Sequence, residues 1–336
     1  MRNRPKLQDV ANRAGVSVAT ASQVLRGTGR ISENTRKRVQ EAAQKLHYVP
    51  DDRAVSMRSG AKKEIGMIIQ RIANPFNAEV ISGVSDLLES KGYLVSILDS
   101  QDDLDRQRRN LEAFIRNSRG GLIWVPSQDT PQSVADLLHA HQLPVVTFLR
   151  KFAFGTFDHV GIENRRAIET ATQHLVSLGH SKIAYFGGEA DVDVRQERIR
   201  GYTNIMKANG LGAPIIWDAA DDKLAGMNAM LALHKERPDI TGLVCNGDVV
   251  ALGACHAMQK LGLLPGQDIS VIGFDDIQDA GLATPSLSTM AVRPYQLGHL
   301  LAQTILTRLN EPNLPVNSTY IAATLVARET TGKLLA

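Results

Sequence analysis

The side chains best placed to do chemistry near the start of the chain are readers of a surface. In Ser17-Val18-Ala19-Thr20-Ala21-Ser22-Gln23-Val24-Leu25, Ser17 is placed to N-cap a short helix. Ala21, Val24 and Leu25 would then turn inward, leaving Val18, Ala19 and Gln23 outward. Small methyl groups suit the thymine methyl, and a glutamine amide can pair with adenine N6 and N7 in a major groove. Catalytic patterns are scarce by comparison. Asp275-Asp276 follows an apolar run and offers two carboxylates for metal or acid–base work. Adjacent side chains in extended backbone diverge, so the pair alone is weak. Gly187-Gly188-Glu189 lacks the spacing of a dinucleotide loop, and no phosphate loop, serine elbow or zinc-protease helix is present. The remainder reads as a binder, with a sugar-processing enzyme as the disfavoured alternative.

The elements that must hold the reader lie around it. Leu7, Val10 and Ala11 fall on one face of a preceding helix that stops at Gly15. Two short helices joined by a tight glycine turn form the helix-turn-helix pattern, whose second helix enters the major groove. An ordinary helical hairpin in a core has the same pattern. Ser32 is placed to cap a third helix from Glu33 to Leu46, with Arg36, Lys37 and Arg38 turned outward to phosphates or simply to solvent. Pro50 ends that unit, Arg53 to Arg58 could form one and a half helical turns, and 59–63 reads as a basic linker. So short a helix is marginal alone and would form only against a partner.

Beyond Glu64 the texture changes. Apolar runs at Ile65–Ile69, Tyr93–Leu98, Leu122–Val125 and Pro144–Phe148 alternate with amphipathic stretches. A second set follows at Lys182–Phe186, Ala213–Trp217, Leu243–Asn246 and Ile269–Phe274. Intervening helices are predicted at Ala78–Ser90, Leu104–Asn117, Gln132–His141, Arg165–Leu178, Arg198–Ala208, Lys223–Lys235, Val249–Leu261 and Tyr295–Leu309. This is the signature of buried parallel strands with helical crossovers, in two similar open lobes. The chain is expected to cross between lobes near 160–164 and near 290, with strands around Thr289–Val292 and Tyr320–Val326 at the hinge and sheet edges. Ligands of open parallel sheets sit at the carboxyl ends of strands, so two such lobes predict a cleft.

Charge separates the same two regions. Residues 1–63 carry a formal charge of +9 and the rest −6, which points the head toward a polyanion. Cys245 and Cys255 read as reduced core thiols, and no His, Cys or carboxylate set has metal-ligand spacing, so no cofactor is expected. The N-terminus has no apolar signal region and no apolar run reaches about 18 residues, so a cytoplasmic chain without a membrane span is expected. Asn317-Ser318-Thr319 matches a glycosylation acceptor by chance on that reading.

Eight segments in order resemble the LacI/GalR family of bacterial transcription regulators over about residues 6–330. They are Asp9-Val10-Ala11 with Ala14-Gly15-Val16-Ser17, Ser22 and Val24-Leu25; Leu46 with Tyr48-Val49-Pro50; Asn74-Pro75-Phe76; Leu178-Gly179-His180 with Ile183-Ala184; Arg198 with Gly201-Tyr202; Asp248 with Ala251-Leu252-Gly253; Ser270 to Asp275; and Thr284-Pro285 with Leu287-Ser288-Thr289. Arg26 to Ile31 further resembles the maltose-operon regulator branch. The resemblance implies an α/β protein: a three-helix head (1–50), a hinge helix and linker (51–63), and a two-lobed periplasmic-binding-protein-like body (64–336). Lobe 1 would take 64–161 and 291–325, and lobe 2 162–290. It implies a homodimeric repressor on double-stranded, near-palindromic DNA, released or recruited by a small effector. A ligand-binding receptor of the periplasmic type is the alternative.

For DNA contact the resemblance implies Lys6, Ser17, Val18, Ala19, Thr20, Ser22, Gln23, Arg26, Arg30, Tyr48, Arg53, Ala54 and Met57. Met57 stands where the family has its leucine wedge for the minor groove, or else is a plain body contact; Asp51 stands where the family has Asn. For the effector it implies Phe76, Asn77, Arg198, Asp221 and Asp275, with Glu163 and Asp248 at cleft-lining positions. Arg198 and Asp275 could instead form an ion pair between the lobes. Glu163 and Gly247 replace the family's Asp and Asn, which leaves open a larger ligand or none. A sugar or sugar phosphate is the first expectation and a nucleobase the second. With no leucine heptads before Leu334-Leu335-Ala336, a tetramer is not expected.

Overall fold

A computed structural model describes residues 5–49, 63–117, 120–154, 156–190 and 192–334. The chain divides into two compact units that meet at Lys62 and Lys63. The first holds α1 (Leu7–Ala14), α2 (Val18–Leu25) and α3 (Glu33–Lys45). Val10, Ala11, Ala14, Ala21, Val24, Val39, Ala42 and Ala43 form its core, so the predicted inward faces are the buried ones. Gly15 ends α1 in the left-handed region at φ +62°, where a Cβ would be strained. Arg38 donates to the Ala14 and Gly15 carbonyls and so caps α1 from α3, as a cation at a helix C-terminus should. Of the three outward charges on α3, that one serves the head itself. The hinge stretch, with Asp51, Arg53, Ala54 and Met57, lies outside the described residues.

The second unit contains two six-stranded sheets. In lobe 1 the order is β2 (Leu94–Asp99), β1 (Glu64–Ile69), β3 (Gly121–Trp124), β4 (Val145–Phe148), β5 (Asp158–Ile162) and β11 (Ser318–Ile321), all parallel. In lobe 2 it is β7 (Ile215–Trp217), β6 (Ile183–Phe186), β8 (Gly242–Cys245), β9 (Ser270–Asp275), β10 (Ser288–Ala291) and β12 (Thr324–Val326). Only β12 runs antiparallel there, against β10. The lobe-1 sheet is covered on one face by α4 (Pro75–Ser90) and α12 (Pro294–Asn310), which pack on each other, and on the other by α5 (Leu104–Arg116) and α6 (Gln132–Ala140) around Trp124 and Phe114. Lobe 2 is built likewise with α7 (Asn164–Ser177), α8 (Asp193–Ala208), α9 (Lys223–Glu236), α10 (Asp248–Lys260) and the short α11 (Gln278–Leu282). Both cysteines are free and buried, and no described helix is long and apolar enough to cross a membrane.

Besides the unforeseen short α11, three features depart from the sequence expectation. Strand β5 was not foreseen, because its buried Asp158 and His159 interrupt the apolar signal; Arg308 satisfies Asp158 with two bonds of 2.7 and 2.9 Å. The chain crosses between lobes at 162–164 and 291–294, and a third time at 321–324. That last crossing splits the expected Tyr320–Val326 strand into β11 and β12 and puts 324–334 in lobe 2, of which 324 and 325 were expected in lobe 1. There Thr330 is buried and bonded to the Val271 carbonyl at 2.7 Å. Ala322-Ala323 carries no turn signal to reveal the switch. Finally, α4 and α8 begin three and five residues earlier than predicted.

Helices α4 and α12 touch backbone to backbone through Gly83 and Gly298. A Cβ on Gly298 would lie 2.2 Å from the Val80 carbonyl oxygen. Gly298→Ala should therefore force the helices apart and cost roughly 1–3 kcal/mol or more. Urea unfolding of the second unit measures this; an unchanged midpoint would refute the packing.

Candidate functional site

The head presents a reading face. Ser17 Oγ accepts from the Thr20 amide at 3.1 Å and shares a hydrogen bond with Thr20 Oγ1 at 2.9 Å, so both hydroxyls serve the cap of α2. Val18, Ala19 and Gln23 are exposed, while Thr20 and Ser22 are half-buried. The Gln23 amide lies over Gly29, where even one added carbon would come within 3.2 Å of Oε1. Lys6, Arg26 and Arg30 are exposed around this helix; Arg26 Nε donates back to the Ser22 carbonyl at 3.2 Å. Tyr48 packs against the head core and is only half-exposed.

The cleft forms where strand ends of one lobe oppose those of the other. It measures about 940 Å³ counted out to its open mouth. Lobe 1 supplies Gln70 and Arg71 just beyond β1, Phe76 and Asn77 from the first turn of α4, and Asp102 with Arg150. Asn74 caps α4 by accepting from the Phe76 amide at 3.0 Å, which fixes that turn. Lobe 2 supplies Arg195 and Arg198 from α8, Glu189, Asp221, Asn246 and Asp275. Strand carboxyl ends and first helical turns carry nearly all of them, as an open parallel sheet requires.

Arg198 is buried. Its Nε donates to Asn164 Oδ1 at 2.9 Å, another nitrogen donates to the Asn246 carbonyl, and the guanidinium lies 3.7 Å over the Phe274 ring. It makes no ion pair with Asp275, and both belong to lobe 2, so the expected alternative of a lobe–lobe pair does not hold. Asn246, read from sequence only as a strand end, is the organiser: Nδ2 donates to both Asp221 oxygens at 2.9 Å and Oδ1 accepts from Tyr185 at 2.7 Å. Lobe-to-lobe contact runs instead through Arg71, which donates to the Asp221 carbonyl at 3.1 Å and stands 3.5 Å from Glu189. Glu79 adds a bond of 3.3 Å from the Gln278 amide. The sequence reading missed Arg71, Arg150, Arg195 and Asn246; only their position just after apolar runs, or near Arg198, could have marked them.

Two expected effector residues are placed elsewhere. Asp248 is fully buried beneath the cleft floor, accepting from Thr289 Oγ1 at 2.6 Å and the Ile277 amide at 2.9 Å, so it is part of the scaffold. Burial pushes its carboxyl up to about 7. Gly273 makes room for it, since a Cβ there would come 2.1 Å from Oδ1. Glu163 N-caps α7 by position and turns to Arg166, 3.6 Å away, outside the cleft lining.

Asp275 does line the cleft, and its backbone sits at φ +120°, a conformation rare for a side-chain-bearing residue. Burial, then the charge of Asp248, raise its carboxyl well above the ordinary 3.8; Arg198 opposes this, while Asp221 and Glu79 add to it. Burial raises Asp221 as well. A carboxyl raised on folding contributes stability at low pH that is lost as pH climbs through its folded value. Asp275→Asn should therefore stabilise the ligand-free protein at pH 8 by about 1 kcal/mol or more, with the gain shrinking at pH 5. Melting curves at the two pH values decide this; a gain independent of pH, or a loss at pH 8, would overturn it.

Comparison with known proteins now bears on the whole chain. Residues 6–51 match the description "Bacterial regulatory proteins, lacI family", and residues 172–331 match a periplasmic binding protein-like domain. The ribose operon repressor of Haemophilus influenzae is 30% identical over 325 residues, covering 96% of this chain and 97% of that one. The maltose regulon regulatory protein MalI of Escherichia coli is 27% identical over 332 residues, covering 96% and 97%. Identity therefore does not favour the maltose branch over the ribose one. The solved lac repressor dimer bound to operator and the anti-inducer ONPF shares the fold, with a TM-score of 0.85 at 23% identity, covering 98% of this chain and 100% of that one. With a reading helix in its first unit, a bilobal cleft in its second and identity sustained over nearly its full length, the chain belongs to the lacI family of bacterial regulatory proteins.

Proposed function

We propose that this regulator is a homodimeric repressor that reads a near-palindromic operator and is controlled by a sugar in the cleft. It acts by binding alone, without turnover, in the cytoplasm. The head (1–50) reads DNA, 51–63 links, and the rest senses; lobe 1 comprises 64–162 and 294–321, and lobe 2 comprises 164–291 and 324–334. The carrying observation is the exposed trio Val18, Ala19 and Gln23 on a capped helix flanked by Lys6, Arg26 and Arg30. Ser17, Thr20 and Ser22 support that helix or touch backbone phosphates, Tyr48 braces the head, and Arg53, Ala54 and Met57 engage DNA from the hinge. Sugar control is supported by the names of the two relatives, a ribose operon repressor and a maltose regulon regulatory protein. It is supported too by the cleft's hydrogen-bonding groups set beside Phe76. Phe76, Asn77, Arg198, Asp221 and Asp275 are the proposed effector contacts.

An operator is first selected from random duplexes, and gel shifts then follow affinity against salt. Several phosphate contacts demand a steep loss of affinity as salt rises. Gln23→Ala should relax preference at one base pair in each half-site, costing about 1–3 kcal/mol of discrimination. Equal loss on all sequences would remove Gln23 from base reading, and failure to select any duplex would end the proposal.

A further inference from the structure

We infer that the cleft takes an uncharged, hydroxyl-rich sugar and rejects the phosphate ester of the same sugar, a refinement that rests on the effector reading above. Four guanidinium groups line the cleft, which at first suggests an anion. Three of them are paired with carboxylates, and the fourth, Arg198, is hydrogen-bonded to neutral groups. Arg150 grips Asp102 with two bonds of 2.5 and 2.8 Å. Arg71 has Glu189 and the Asp221 carbonyl. Arg195 is buried, donates Nε to the Gly187 carbonyl at 2.9 Å, and pairs with Asp218. Arg198 is held by Asn164 and Asn246 and faces two carboxylates, Asp221 and Asp275, whose titration it opposes. Four cations thus meet five carboxylates: Asp102, Glu189, Asp218, Asp221 and Asp275. With Asp221 ionised, a proton on Asp275 leaves the site balanced and its loss leaves the site negative. A phosphate bringing about −1.5 to −2 would either meet the carboxyl groups of Asp221 and Asp275 at Arg198 or have to take one of the other three arginines from its carboxylate, and a partly buried carboxylate stripped of its cation is costly.

The groups left without partners are acceptors. Asn77 is 1% exposed, and its Nδ2 donates to the Arg71 carbonyl at 2.7 Å, which fixes the amide and leaves Oδ1 unmatched beside the cleft. Gln70 Oε1 is buried and unmatched as well. Both residues line the cleft from lobe 1. Opposite them, the Asp275 carboxylate accepts no hydrogen bond from any described residue. Buried acceptors in this state call for donors. Sugar hydroxyls supply donors, whereas an ionised phosphate offers mainly further acceptor oxygens. Phe76 offers an apolar surface for the C–H face of a ring.

The full chain is titrated calorimetrically with ribose, glucose and maltose, with ribose 5-phosphate and glucose 6-phosphate, and with inorganic phosphate. A neutral sugar should bind at least tenfold more tightly than its own ester, and inorganic phosphate should give no heat. Asp275→Asn should weaken the neutral sugar at least tenfold and narrow the ratio between sugar and ester. An ester that binds as well as its parent, measurable phosphate binding, or a ratio unmoved by Asp275→Asn would overturn the charge argument while leaving sugar control standing. Silence from every neutral sugar and ester would overturn sugar control itself, and this inference with it.

Discussion

A guanidinium buried among strand ends has to be satisfied on every side, and lobe 2 is arranged around that demand at Arg198. The side chain reaches from α8 to an amide of α7, to a carbonyl at the end of β8, and across the face of the last aromatic of β9. Two carboxylates complete its field, one from the 218–222 stretch and one from the end of β9. A cation desolvated to this degree is tolerable only when such partners are fixed before any ligand arrives. Asn246 does the fixing, because it is held in turn by the Tyr185 hydroxyl, itself buried between β6 and α8. Burial holds the Tyr185 phenol well above its ordinary range, so it stays a donor and the orientation of the Asn246 amide is settled.

Lobe 1 is organised on the opposite plan. Its cations are paired within the lobe or reach across the cleft, and its amides are left open. Arg150 is closed on Asp102, and Gln107 bridges Trp124, Ser127 and Thr130 behind the lining with bonds of 2.9, 2.7 and 2.9 Å. That network makes the lobe-1 wall rigid while leaving Asn77 and Gln70 as its unmatched elements. The two walls differ in kind: one is a charged cluster held by neutral dipoles, the other pairs its charges off and leaves amide oxygens without donors. A ligand that donates on both sides would complete the two at once, and closing on it would exclude water from both.

Much of this architecture was legible in the residues. Apolar runs at Ile65–Ile69 or Val271–Phe274 could hardly be anything but buried parallel strands, and Gly15 and Ser17 marked the turn and cap of the head. What stayed hidden was polar. Strand β5 carries Asp158 and His159 inward, and their partners, Arg308 from far along the chain and Thr147 on β4, become visible only once the sheet is assembled. The cleft followed the same rule. Asp275 and Arg198 stood in recognisable segments, but Arg71, Arg150 and Asn246 acquire their roles from partners 25 to 150 residues away. Asp248 shows the converse, a carboxylate in a recognisable segment that tertiary packing turns into scaffold. Spacing along a chain reports periodicity; it does not report which buried charge a distant lobe will satisfy.

The contacts between the lobes also decide what kind of switch such a protein can be. Arg71 and Glu189 are both substantially exposed, so their pair contributes no more than about 1 kcal/mol. The Arg71 bond to the Asp221 carbonyl and the Gln278 bond to Glu79 add about 1 kcal/mol each. Set against these is the carboxyl of Asp275, whose burial disfavours its charged form. The three contacts together come to about 3 kcal/mol, short of the roughly 5.5 kcal/mol that separates a mostly open population from a mostly closed one. A cleft held by strong interlobe ion pairs would be shut in all conditions and deaf to metabolite. This one is held weakly enough that a ligand satisfying Asn77, Gln70 and Asp275 together supplies the deciding share, and its leverage comes from acceptors that no protein group satisfies.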